Sequence, residues 1–121
     1  MIWTDIYVDE KSQLNNVLGA ISMSFGFSSQ EMIITNKEED LIIYSEKKIV
    51  FLAYKPEDFL GFNQVSIYLS DGVVGSLGNL IFAANQAKTP IILADEDNLD
   101  YDAFIKIDVN GAISKIKIPF A

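Results

Sequence analysis

The stretch Asp40–Tyr54, DLIIYSEKKIVFLAY, limits the fold more than any other part of the chain. Two short runs rich in β-forming residues, Leu41–Tyr44 and Ile49–Tyr54, flank the polar Ser45-Glu46-Lys47-Lys48, a pattern that predicts an antiparallel hairpin. Neither run alternates between apolar and polar residues. A strand with one wet face shows that alternation, so both runs are expected in the middle of a sheet and covered on both faces. The rest of the chain has to supply those covers.

The clearest cover is a helix predicted from about Glu10 to Phe25, with Asp9 as its N-cap and Gly26 as its stop. Its apolar residues Leu14, Val17, Leu18, Ile21 and Phe25 recur at helical spacing and form one stripe. A second helix is expected over Asp71–Lys88, with Val74, Leu77, Ile81 and Ala84 as its stripe, widened by Leu80 and Phe82. Gly72, Gly75 and Gly78 fall at intervals of three in it. Packing against the sheet explains them better than phosphate binding does, because neither GxGxxG nor GxxxxGK[ST] is present. Inside a helix each would cost about 1 kcal/mol relative to alanine.

Strands are predicted at Ile2–Val8, Glu31–Thr35, Gln64–Ser70 and Ile91–Ala94, the last two joined through the second helix. Asn110-Gly111, set between the alternating runs Phe104–Val109 and Ala112–Ile118, predicts a closing hairpin ended by Pro119. Its lysines, Lys106, Lys115 and Lys117, suit an outer pair protected against edge-to-edge association. Phe59, Leu60 and Phe62 lie on a segment after Pro56 and are expected to form a satellite core, with an exposed docking patch as the other reading. These elements amount to an α+β fold: a single mainly antiparallel sheet of six to eight strands with two helices packed on it. A chain of 121 residues fits a single globular domain spanning residues 1–121, which buries roughly two-thirds of its unfolded surface without a disulfide or metal.

Composition narrows function by what it lacks. With no Cys and no His, thiol nucleophiles, histidine bases, Ser-His triads and Cys/His zinc sites are all excluded. All nine basic residues are Lys, so no guanidinium is present to clamp phosphate or carboxylate in two-pronged fashion. Seventeen carboxylates against nine lysines give a net charge of −8, which repels nucleic acid and anionic lipid and attracts basic proteins. A chain of this kind is expected to be non-catalytic, with no cofactor and no metal. It has no basic leader and no apolar run near the roughly 18 residues of a membrane span, so a cytoplasmic location is the expectation.

The densest charge is Asp95-Glu96-Asp97-Asn98-Leu99-Asp100-Tyr101-Asp102, five carboxylates in eight positions. Carboxylates spaced like a phosphate backbone around an aromatic anchor suit a basic protein partner, a toxin or nuclease domain whose positive active site is covered by an immunity-type inhibitor. Asp95, Asp97, Asp100, Tyr101 and Asp102 are the residues expected to carry that contact, with Glu38, Glu39 and Asp40, or Glu57 and Asp58, as competing patches. Solvation alone is the simplest account of any one of these aspartates. The alternatives are a self-associating assembly subunit and a small Mg²⁺-dependent phosphotransfer domain using Asp71 and Asp97 at the carboxyl ends of two strands. A calcium loop does not fit, because Leu99 and Asp100 stand where an oxygen ligand and Gly belong.

Overall fold

The computed structural model describes residues 1–98, 100 and 102–118. Its strands are β1 (Ile2–Asp9), β2 (Met32–Thr35), β3 (Ile49–Tyr54), β4 (Phe62–Leu69), β5 (Ile91–Ala94), β6 (Ala103–Ile107) and β7 (Ile113–Lys117). Its helices are α1 (Leu14–Ser24), the one-turn α2 (Asp40–Ile43) and α3 (Leu77–Ala87). The strands form one sheet in the order β2-β3-β4-β1-β5-β6-β7. β2 and β3 pair in parallel, and every other neighbouring pair is antiparallel. This is the expected α+β architecture, with a mixed but mainly antiparallel sheet.

Strand directions explain where the two long helices lie. β4 and β5 are both antiparallel to β1, which lies between them, so they run the same way and need a crossover; α3 provides it. β1 and β2 also run the same way, and α1 makes that connection. Both helices cover one face of the sheet. There Ile6, Val8, Ile49, Phe51, Val65, Ile67, Ile91 and Ile107 pack against Val17, Leu18 and Ile21 of α1 and Leu80, Ala83 and Ala84 of α3. Each fully buried aliphatic side chain contributes roughly 1.5–3 kcal/mol, so this layer is the main source of stability.

The stripe expected for α1 is the stripe observed, but the helix starts at Leu14 rather than Glu10. Asp9 caps a tight turn instead: its carboxylate accepts the Lys11 N–H at 2.8 Å and its carbonyl accepts the Ser12 N–H at 3.0 Å. α3 is also shorter than expected, and its buried face is Leu80, Ala83 and Ala84, while Val74 lies outside the helix and is exposed. Gly72 has a φ of +86° in the turn after β4, which bars a helix there. Helix α3 begins at Leu77 with Ser76 as its N-cap, whose N–H donates to the Asn79 side-chain carbonyl at 2.9 Å.

The largest correction concerns the predicted central hairpin. Ile49–Tyr54 is strand β3 as expected, but its neighbours are β2 and β4, and Asp40–Ile43 is a helical turn. A parallel pair cannot be closed by a short hairpin, so residues 36–48 must travel from the end of β2 back to the start of β3. The Thr35 hydroxyl donates to the Asp40 carboxylate and anchors that return. Leu41, Ser45 and Lys47 then lie beside Val50 and Tyr68, on the face of the sheet away from the helices. Ile42 and Ile43 point away from the protein, 82% and 61% exposed. The expected strand end at Pro119 lies outside the described residues.

Candidate functional site

The acidic segment after β5 is largely occupied with its own chain. Asp95 is 5% exposed, and its Oδ2 lies 3.5 Å from the Lys115 ammonium on β7. Asp100 lies 3.6 Å from Lys117 on the same strand. The backbone of Asp102 receives the Ile118 N–H at 2.9 Å, and its side chain is half-buried. Asp97 is exposed in a turn, and Tyr101 lies outside the described residues. The two β7 lysines therefore pair with Asp95 and Asp100, and Asp95 is too deep for a partner to reach. Among the described residues no group of three or more carboxylates gathers where it could hold a metal ion.

The face without helices offers a different arrangement. Two segments cross it and leave a strip between them. One is the return over residues 36–48. The other is the loop before β4, whose Phe59 stacks on Tyr7 with ring centres 4.4 Å apart and meets Phe62 and Phe104 edge-on. Phe59, Ile92 and Phe104 form a second buried cluster there with Phe62 packed against it, so two of the three residues expected in a satellite core, Phe59, Leu60 and Phe62, are in one. Leu60, expected in the same core, is instead 71% exposed, because it sits on the outer side of the loop that Phe59 anchors.

Strand register fixes what lies in the strip. Leu52, Ser66 and Asp5 line up across β3, β4 and β1, and Tyr54, Gln64 and Tyr7 line up in the adjacent row. Tyr68, opposite Val50, lies on the other side of Ser66 along β4. Side chains two apart on a strand share a face, so Asp5 with Tyr7, and Ser66 with Tyr68, belong to one surface. The Ser66 hydroxyl donates to the Asp5 carboxylate at 2.5 Å and is also within hydrogen-bonding reach of Tyr54. No lysine comes within ion-pair distance of Asp5 among the described residues. The chain thus places a half-buried, cation-free carboxylate in the central strand and surrounds it with phenols.

The phenols register that charge. Burial pushes the Tyr7 hydroxyl above its ordinary value of 10.0, and the nearby Asp5, Tyr54 and Asp58 push it further the same way. Burial likewise raises Tyr54, with the Ser66 hydrogen bond opposing it and Asp5, Tyr68 and Asp58 adding to it. A raised phenol pKa makes stability depend on alkaline pH. The unfolded chain loses the Tyr7 proton first, so the stabilisation present below 10.0 is lost as pH climbs toward the folded value. The urea midpoint is expected to fall as pH passes 10.0, with a shallower fall in Tyr7→Phe; equal slopes for the two proteins would contradict it.

Of the competing acidic patches, Glu57 and Asp58 belong to this surface: both are exposed, and Asp58 lies close enough to Tyr7 and Tyr54 to shift them. Glu38 and Glu39 are exposed in the turn before α2. Asp5, Tyr7, Tyr54, Ser66 and Tyr68 were not candidates from the sequence, where each reads as an ordinary strand residue. The one available signal was a charged residue, Asp5, set inside the mainly apolar run Ile2–Val8.

The chain matches no family model. Comparison with curated proteins and with solved structures also finds no match. The surface itself is therefore the basis for a functional reading. It holds carboxylates, phenols and one buried hydroxyl. No helix among the described residues is long and apolar enough to cross a membrane.

Proposed function

We propose that this chain is a non-catalytic binding module of the immunity type, which neutralises a basic toxin or nuclease by covering its positively charged active site. The observation that carries the reading is the open strip on the helix-free face, where Tyr54 is 43% exposed beside the cation-free Asp5 and the exposed Asp58. Tyrosines surrounded by carboxylates supply both parts of a tight interface to a basic protein: long-range steering by charge, and large rigid side chains as anchors. The −8 net charge adds to the steering. This reading moves the contact from Asp95–Asp102 to Asp5, Tyr7, Tyr54, Asp58 and Tyr68, because Asp95 is buried and Lys115 and Lys117 already pair with Asp95 and Asp100.

The test is association with a basic nuclease domain encoded beside this chain, followed across ionic strength. The paired change Asp5→Asn/Asp58→Asn is expected to slow association about tenfold at low salt, and Tyr54→Ala to speed dissociation about tenfold or more. Rates indifferent to salt and to all three substitutions would refute the assignment. Ile42 and Ile43, strongly exposed on α2, support a second reading as a self-associating subunit. Sedimentation separates the two: a stable homo-oligomer that persists in high salt and dissociates on Ile42→Lys favours assembly.

A further inference from the structure

We propose that Asp5 is the receptor for a single arginine side chain of the partner, which enters the strip over Ser66 between Tyr54 and Tyr7. The inference rests on the binding-module reading and adds the chemistry by which the partner is recognised. β1 is the fourth of seven strands, so Asp5 stands at the centre of the sheet rather than at its rim. A carboxylate there loses part of its hydration and regains stability only through partners. Among the described residues its carboxylate has one side-chain partner, the Ser66 hydroxyl on Oδ1. Among the described residues the lysine–carboxylate pairs all go elsewhere: Lys48 to Glu31, Lys55 to Glu10, Lys106 to Asp108, Lys115 to Asp95 and Lys117 to Asp100.

The groups around Asp5 select the kind of cation. Oδ2 and the side-chain amide oxygen of Gln64, which stands in the row between Tyr54 and Tyr7, are acceptors, and the phenol oxygens add more. They are spread over several strands rather than gathered on one point. A guanidinium carries five donors in a planar fan and stacks on aromatic rings, whereas an ammonium is a compact, strongly hydrated point charge. Spread acceptors among aromatic rings therefore favour arginine over lysine. The chain has no arginine of its own, so nothing within it competes for the place.

The experiment titrates the isotope-labelled full chain with N-acetyl-arginine amide, the lysine analogue and the neutral citrulline analogue, following backbone resonances. The arginine probe is expected to give saturable shifts centred on Asp5, Tyr54 and Ser66, with an affinity about tenfold above the citrulline probe, the size of effect a charged hydrogen bond produces. It should also bind more tightly than the lysine probe. Asp5→Asn is expected to abolish the preference for charge while Ser66→Ala keeps it. Equal affinity for arginine and citrulline, equal affinity for arginine and lysine, or shifts centred on Glu38–Glu39 or Glu96–Asp97 would each overturn the assignment. These comparisons among probes need no variant, so the proposal stays open to refutation if Asp5→Asn does not fold. A chain that inhibits a basic nuclease yet ignores all three probes loses this inference and keeps the broader reading.

Discussion

Gly75→Ala is expected to destabilise the protein at the upper end of the roughly 1–3 kcal/mol typical of overpacking, read as a lower urea midpoint with unchanged slope. A Cβ built on Gly75 would lie 2.6 Å from Cζ2 of Trp3 and closer still to Cε2 and Cδ2. These are ring atoms, and the ring has little freedom to retreat because it also packs edge-on against Phe25 at 5.6 Å. The sign is the informative part. Were Gly75 inside a helix, as its spacing with Gly72 and Gly78 suggests, alanine would stabilise by about 1 kcal/mol. The close contact with Trp3 reverses that. Trp3→Leu should remove most of the penalty, so the double variant Trp3→Leu/Gly75→Ala should be more stable than the sum of the two single losses implies. Additive losses, or a stabilising Gly75→Ala, would show that the ring does not lie against that backbone.

Phe59→Ala and Leu60→Ala, neighbours in sequence, are expected to separate stability from binding. Phe59 is buried against Tyr7, Phe62 and Phe104, and its loss should cost about 3 kcal/mol, the lower part of the range for a buried aromatic, because a loop can partly collapse into the space. Its removal also frees the Tyr7 ring, so partner affinity should fall along with stability. Leu60 is solvent-exposed, so Leu60→Ala should leave the unfolding midpoint within about 0.5 kcal/mol and act only on partner dissociation. Equal effects of the two changes on stability would mean that the loop does not lie on the sheet as described.

Much of the fold was legible because its signals are local. The α1 stripe of Leu14, Val17, Leu18 and Ile21 follows from helical spacing, and each of these residues packs into the main core. Asn110-Gly111 closes the last hairpin for a backbone reason: Gly111 takes a φ of +86°, and the Asn110 side chain accepts the Ala112 N–H at 3.0 Å. The central hairpin was misread because Leu41–Tyr44 has the composition of a strand but no room in the sheet. β2 occupies the place beside β3, and composition carries no information about that competition.

The amino-acid sequence by itself determined the class of structure, the positions of the long helices and most strands, and the chemical poverty that argues against most catalytic mechanisms. Those follow from periodicity, turn residues and the absence of whole residue types, which act over a few positions or over none. Only the tertiary structure decided which carboxylates are free. Lys115 reaches Asp95 and Lys117 reaches Asp100 through a hairpin, while Asp5 and Ser66, 61 positions apart, meet across two strands with no lysine beside them. Charge is written along the chain, but its neutralisation depends on distances across the sheet, and those exist only once the strands have paired.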